Sequence, residues 1–560
     1  MSAAEAVGLM VAAVVLLVML GTLIGAGLPL VNALVGVGIS MFIALSLSGF
    51  LDVMTITPTL GLMLGLAVGI DYALFILHRH RTQLKAGMRV RDSIALANGT
   101  AGNAVVFAGA TVVIALLALN VTGLPFLGLM GTVAAMFVTI AVMMAVSLTP
   151  AMLSLVGQRI LSKKERAALQ ARGNQSSQKE KEHSPTPVPT STITTPMPTA
   201  KAVAIAVVSV IGLGVLSIPT ADLRLGMPDA SAEETGSPAY EAFHSTAEHF
   251  GEGWNGPILA VADLPTELDD AAAETYQITI AEELGAHQDV DSVVPAAIND
   301  DNTTAIFQVI PVEGPSAEST EHLSEEFAAG TLLEGTDMDD VELSVAGATA
   351  ANIEISEIIS DALPLYLTLV VLLSLVLMVM VFRSILLPVI ATLGFVGSFT
   401  AAIGVVVAIF QWGWLGGLFV PGDPGPVITF LPILMVGVLF GLGMDYQLFT
   451  ATGMREAYAH GSPPQLAVRQ GLHAGRAVVT AAALIMSSVF GAFAFQPDPM
   501  IAPLGLALAV GVLLDAFVVR ILLVPAVLHL CGPAAWWLPK WLDKILPDVD
   551  VEGASLERAA

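Results

Sequence analysis

The sequence predicts a polytopic α-helical membrane protein, with about eleven transmembrane helices in two parallel repeats plus one α+β extracytoplasmic domain. Three observations carry this prediction. The 560 residues are 55% hydrophobic and 12% charged, with a mean hydropathy of +0.79, a composition that soluble domains do not reach. Apolar runs of about 20 residues, the length that crosses a hydrocarbon core, recur along the chain. The first five runs also resemble the last five in order and content.

Taken in order, the runs lie near 7–25, 29–50, 56–77, 103–121 and 126–156, then 201–218, then 359–381, 386–411, 426–450, 475–495 and 501–530. The expected organisation is a first five-span repeat over 1–160, a linker over 161–200, a single span at 201–220, a polar domain at 221–355, a second five-span repeat over 356–533 and a tail from 534 to 560. The linker is charged and then rich in Ser, Thr and Pro, which predicts disorder. Residues 221–355 hold 29 of the 48 carboxylates and only one of the 22 basic residues, Arg224, so this segment accounts for the net charge of −26. PILAVAD (257–263) and TAIFQVIPV (304–312) alternate like strands. SPAYEAFHSTAEHF and AETYQITIAEEL have the spacing of amphipathic helices.

Basic residues concentrate at 78–92, 162–181, 382–384 and 454–476. Lys and Arg in short loops mark the cytoplasmic side, which puts the linker and C-terminus in the cytoplasm of a plasma-membrane protein and the acidic domain outside. The count of spans then places the N-terminus outside, and an odd number of spans with an external start leads us to expect that something is missing upstream. The acidic balance argues against a nucleic-acid partner. The single cysteine, Cys531, excludes a disulfide framework and a thiolate metal cluster. Neither a nucleophile–base set nor a cofactor motif is present, so an enzyme is not expected.

LMLGLAVGIDYALF (62–75) matches LMVGVLFGLGMDYQLF (434–449) around a shared Asp-Tyr. GNAVVFAGATVV matches GRAVVTAAALIM, and SLTPAM matches LLVPAV. Matched positions stay 373 to 375 residues apart, and the basic loops fall at equivalent places. Both copies therefore cross the membrane in the same sense, as in transporters whose halves are related by an axis along the membrane normal.

Asp71 and Asp445 occupy equivalent places in the third span of each repeat. An Asp at a helix centre costs about 2.5–3.5 kcal/mol on insertion scales. Burial penalises its ionised form, so such a group can take a proton from one side and release it to the other. Adjacent helical residues point about 100° apart, so Asp71 and Tyr72 cannot share one direction. Two helices facing across a pseudo-two-fold axis resolve this: Asp71 meets Tyr446 while Tyr72 meets Asp445, each phenol donating to a carboxylate. Glycines at 61, 65 and 69, and at 437 and 441, would let helices approach closely. The competing reading of the Asp-Tyr pairs is interhelical glue. Asp515 and Arg520, five apart in the last span and without counterparts in the first repeat, either satisfy each other or act as accessory groups. His78 and His80 read as ordinary residues of the basic cytoplasmic end. The glycine run is no phosphate loop, since no Lys-Ser/Thr follows it. With no nucleotide motif, an ion gradient is the expected energy source.

GLAVGIDYALFILHRHR and FGLGMDYQLFTATGMRE resemble the paired motifs of the MMPL (mycobacterial membrane protein large) transporters, in the resistance-nodulation-division (RND) superfamily. LRLGMPDA (223–230), GATAANIEISEIISDALPLYL (347–367), FRSILLPV (382–389) and GVLLDAFVVRILLVPAVL (511–528) agree. The resemblance covers essentially the whole chain except the linker and tail. It implies proton-driven export of lipids or other hydrophobic small molecules, a proton relay of Asp71, Tyr72, Asp445 and Tyr446, no cofactor, and the acidic segment 221–355 as a porter domain. Family members carry twelve spans and two porter domains. This sequence starts at what resembles the second span, so the first span and first porter domain are expected to be missing or supplied by a separate chain. The alternatives are a non-transporting membrane scaffold or sensor, in the manner of sterol-sensing domains, and an inactive truncated transporter.

Overall fold

The computed structural model describes residues 3–546 except 52, 168, 170–194, 266–267, 331–332, 334–337, 339–340 and 460. Most of the expected linker and the tail beyond residue 546 lie outside the described residues.

In hydrocarbon, backbone polar groups must be satisfied within the segment, and the apolar runs are accordingly helical. The first repeat comprises α1 (Ala3–Leu20), α2 (Leu23–Leu47), α3 (Ile56–Lys85), α4 (Val90–Ala97), α5 (Asn103–Leu117) and α6 (Pro125–Val156). A π-helical turn, Asn98–Gly102, joins α4 to α5 in one rod. The first two spans differ from the runs 7–25 and 29–50. The chain turns at Gly21 (φ +67°), and Thr22 caps α2 by accepting the Gly25 N–H. Apolar residues on both sides hide that turn from a hydropathy count. The basic stretch 78–92 is likewise mostly helical, since α3 runs on to Lys85 and α4 starts at Val90.

After α7 (Thr199–Leu216) the polar domain begins. Its helices are α8 (Pro238–Phe250), α9 (Asp270–Gly285) and α10 (Glu318–Ala328). Strands β2 (Ile258–Asp263), β3 (Val290–Ile298), β4 (Thr304–Pro311) and β5 (Glu342–Ala346) form an antiparallel sheet in the order β3-β4-β2-β5. The β2-α9-β3-β4-α10-β5 succession is the ferredoxin-like split βαβ arrangement. Its core is built by Ile258, Ala260, Phe307, Val309 and Phe327. The β3 strand is not evident from sequence. It contains Pro295 and two register irregularities, tolerated because β3 is the sheet edge. A separate two-residue strand, β1 (Leu225–Gly226), pairs in parallel with β6 (Val427–Ile428), tying the foot of the domain to the loop entering the second repeat's third span.

The second repeat comprises α11 (Ala348–Phe382), α12 (Leu386–Val406), α13 (Leu431–Ala459), α14 (Pro464–Phe493), α15 (Ile501–Leu513) and α16 (Val524–Cys531). A ten-residue π-helical segment, Leu514–Leu523, joins α15 to α16. Among the described residues, nine helices are long and apolar enough to cross a membrane. Two shorter apolar helices, Ala6–Leu20 and Leu431–Met444, stand where the first and ninth runs were expected.

The halves interlock reciprocally: α3 packs on α14, and α13 packs on α5. Each third span thus lies against the fourth span of the other repeat. Glycines permit the approach, for a Cβ at Gly441 would stand 2.6 Å from Val112 on α5. α3 is almost wholly enclosed, whereas α2 and α7 expose most of their apolar surface.

Candidate functional site

Asp71 and Tyr72 are each 1% exposed in the middle of α3, and Tyr446 is equally buried on α13. The two tyrosines point to equivalent places. The Tyr72 ring lies 3.5 Å from the Cβ position of Gly109 on α5, and the Tyr446 hydroxyl donates to Met486 Sδ on α14. Each phenol therefore faces the fourth span of its own repeat, while its helix leans on the fourth span of the other, so the Tyr446 proton goes to Met486 rather than to Asp71 as expected. Asp445 sits on α13 one residue before Tyr446. Its side chain lies outside the described residues, and so does the expected pairing with Tyr72.

Asp515 and Arg520 do come together, and the backbone explains how. In an α-helix residues five apart diverge, but i→i+5 bonding stacks them, and both fall in the Leu514–Leu523 π-helical segment. Arg520 Nε donates to Asp515 Oδ2 at 2.8 Å, with both side chains almost fully buried. The pair is not self-contained. Arg520 Nη1 also donates to Gln447 Oε1 at 2.6 Å, and a Cβ at Gly443 would stand 2.8 Å from Arg520 Nη2. The guanidinium thus presses on α13 at residues two before and two after Asp445. Gln447 was not singled out in the sequence. The available signal was a polar residue where the first repeat, 374 positions earlier, has Ala73.

The halves are therefore unequal at this level. Gly443 faces a buried ion pair, while its counterpart Gly69 faces Ala33 and Ala141. The positions matching Asp515 and Arg520 are Ile140 and Ala145. Beside Met444, a cavity of about 10 Å³ separates α5, α11 and α13. Its one polar side chain, Thr111, already donates to the Ala108 carbonyl.

His80 belongs elsewhere. It is fully buried, and its Nδ1 lies 2.8 Å from Ser93 Oγ, joining α3 to α4 at the basic end of α3. Next to it, Arg81 and Lys85 both grip Glu165, at 2.8 and 2.7 Å, and Arg81 also donates to the Met19 carbonyl at the end of α1. Burial works against the Glu165 charge. Lys85, the Ser162 N–H and Arg81 outweigh it and hold the carboxyl down at about 2. Among the described residues no group of three or more His, Cys, Asp or Glu side chains is placed to hold a metal.

A duplicated helical half, a ferredoxin-like domain on one face, and an Asp-Tyr pair on the third span of each half define a membrane transporter of the RND type. Sequence and fold comparisons agree. The profile of the MMPL family matches residues 1–188 and 231–545. Membrane protein YdfJ of Bacillus subtilis is 42% identical over 99% of this chain and 73% of its own length. The mycolic acid-containing lipids exporter MmpL11 of Mycolicibacterium smegmatis is 33% identical over 98% of this chain, which spans 57% of that protein. The hedgehog release protein Disp of a water bear shares the fold, with a TM-score of 0.58 at 13% identity over 95% of this chain and 70% of its own. The chain belongs to the MMPL family.

Proposed function

We propose that this protein carries lipids or other hydrophobic small molecules outward across the plasma membrane, driven by the proton-motive force. The observation that carries this reading is the buried Asp71-Tyr72 pair on α3 and its twin, Asp445-Tyr446, on the interlocked α13. One carboxylate in hydrocarbon is costly, and two at matched positions are retained where they exchange protons. Asp71 and Asp445 are the proton carriers. Tyr72 and Tyr446 are the relay groups beside them, each phenol turned toward the fourth span of its own repeat. Gaining or losing a charge in this buried setting changes the electrostatic energy of the α3–α14 and α13–α5 contacts, which is how proton passage would move one half against the other. One charge moving through 100 mV supplies about 2.3 kcal/mol. Arg520 is a positioning residue, fixing α13 on either side of Asp445 and supplying a buried positive charge.

The basic ends of the spans and the linker face the cytoplasm, and the ferredoxin-like domain faces outward, following the positive-inside rule. That domain serves as one porter domain. A substrate cleft of the family's kind needs a second, from the same polypeptide or a separate chain. The lipid class of the cargo is supported by the M. smegmatis relative, an exporter of mycolic acid-containing lipids.

The test uses the purified chain in proteoliposomes with an internal pH dye and an imposed proton gradient. Asp71→Asn and Asp445→Asn should each abolish substrate-dependent proton flux while leaving thermal unfolding unchanged. Normal flux in both variants would overturn the proposal.

A further inference from the structure

We infer that the segment after the last span, GPAAWWLPKWLDKIL (532–546), forms with the α11–α12 turn a binding site for an anionic phospholipid. The inference rests on membrane embedding alone and is independent of the proton relay.

The chain turns sharply after α16 at Gly532 (φ +55°), makes a short 3₁₀ turn and then forms the helix Lys540–Ile545. This segment is pinned in place. Ser384 Oγ donates to the Ala535 carbonyl at 2.7 Å, and the Ile385 N–H to the Trp537 carbonyl at 3.4 Å. Arg383 donates from Nε to Asp543 Oδ1 at 3.0 Å and from Nη2 to the Asp543 carbonyl at 2.8 Å. Trp536 stacks on Tyr458, with ring centres 5.3 Å apart.

Pinning leaves an open, almost wholly apolar groove of about 420 Å³. It is lined by Ile385, Leu386, Val389, Pro533, Ala534 and Trp537. Its occupant follows from what it adjoins. Val389 is exposed at one edge, and Leu393, one turn further along α12, is 68% exposed. On a membrane-spanning helix, that continuous stripe is covered by acyl chains, and the groove is its inward extension. At the other edge the surface becomes amphipathic and basic. Trp537 and Trp541 are 61% and 65% exposed, and Lys540 and Lys544, on the same short helix as Trp541, are exposed too. Exposed tryptophans next to a span sit at headgroup level, and lysines there attract anionic lipid. Asp543 does not cancel them, because it is engaged by Arg383. A chain in the groove and a negative headgroup at the two lysines satisfy both halves of the surface. A peptide partner would leave the groove's lipid-facing mouth open.

The full chain is reconstituted in nanodiscs whose phosphatidylcholine is replaced stepwise by brominated phosphatidylglycerol or, in a second series, by brominated phosphatidylcholine. Intrinsic tryptophan fluorescence is read. Half-maximal quenching should need about tenfold less of the anionic lipid, and raised salt should shrink that advantage. Lys540→Gln with Lys544→Gln, both at exposed positions, should make the two lipids equivalent. Trp537→Phe should remove most of the anionic-specific quenching while leaving the common background from the other tryptophans. Equal quenching by the two lipids in the unaltered protein would overturn the inference. So would an anionic preference that survives the double lysine variant or the loss of Trp537.

Discussion

Arg520 Nη1 donates to Gln447 Oε1 at 2.6 Å, joining the π-helical segment of the last span to α13 two residues past Asp445. The same guanidinium is paired with Asp515, so a single buried cation is shared between two helices. Replacing it by Met strands the Asp515 carboxylate in the core and should cost about 3–5 kcal/mol. Converting both members to apolar residues of similar volume, Asp515→Leu with Arg520→Met, should recover most of that loss, since a well-packed apolar pair often replaces a buried ion pair without penalty. Thermal unfolding of the four proteins in detergent gives the double-mutant cycle. If Arg520 positions α13, the recovered double variant should fold normally yet pass protons poorly.

Gly443 offers a gentler perturbation of the same contact. A methyl there would stand 2.8 Å from Arg520 Nη2 and 3.3 Å from Asp515 Oδ2, pushing against side-chain ends that can give. At Gly441 the same methyl would meet Val112, including its Cα at 2.9 Å, where nothing yields cheaply. Gly441→Ala should therefore lower the unfolding temperature more than Gly443→Ala, and Gly443→Ala should impair proton flux more than its stability loss accounts for.

Glu165 links α1, α3 and the start of the linker through Arg81 and Lys85. Its folded value of about 2 lies below the ordinary 4.5. The carboxylate's contribution is therefore complete above about 4.5 and is lost only as pH falls towards 2. Glu165→Gln should lower stability by on the order of 1 kcal/mol. The gap in unfolding temperature from the unaltered protein should stay flat between pH 8 and pH 5.5. A gap that closes across that range would show that another group titrates in the cluster.

The membrane half of this fold was legible because hydrocarbon leaves the chain few options, and a duplicated sequence marks duplicated helices. The chain turn at Gly21 was not, since a positive φ followed by a Thr cap costs no apolar residue and leaves hydropathy unbroken. Nor was β3, whose Pro295 and largely exposed face remove the usual alternation. At the site, Asp71 and Tyr72 stood out by cost alone. Gln447 did not, because a neutral polar side chain in a span is cheap, and its importance lies in Arg520, 73 residues later. That Asp515 and Arg520 could face one way depended on a π-helical segment that no residue pattern announced.

Tyr366 on α11 donates its hydroxyl to the Ala115 carbonyl on α5 at 2.9 Å, a buried bond between the first span of one repeat and the fourth span of the other. The hydroxyl has room only because position 437 on α13 is glycine, where a Cβ would come within 2.6 Å of it. Three helices thus meet at one oxygen. Tyr366→Phe should cost about 0.5–1.5 kcal/mol, the net worth of a neutral hydrogen bond. Gly437→Ala should cost more by itself, because the new methyl displaces the hydroxyl and leaves the bond unmade. The two losses should not add. Once the hydroxyl is gone, the alanine methyl fills the space it left, so the double variant should lie close to Tyr366→Phe alone, with a coupling energy of about 0.5–3 kcal/mol, as for residues in contact. Unfolding temperatures of the four proteins in one detergent measure this directly. Strict additivity would mean that the 2.6 Å approach is relieved by helix movement rather than by the tyrosine.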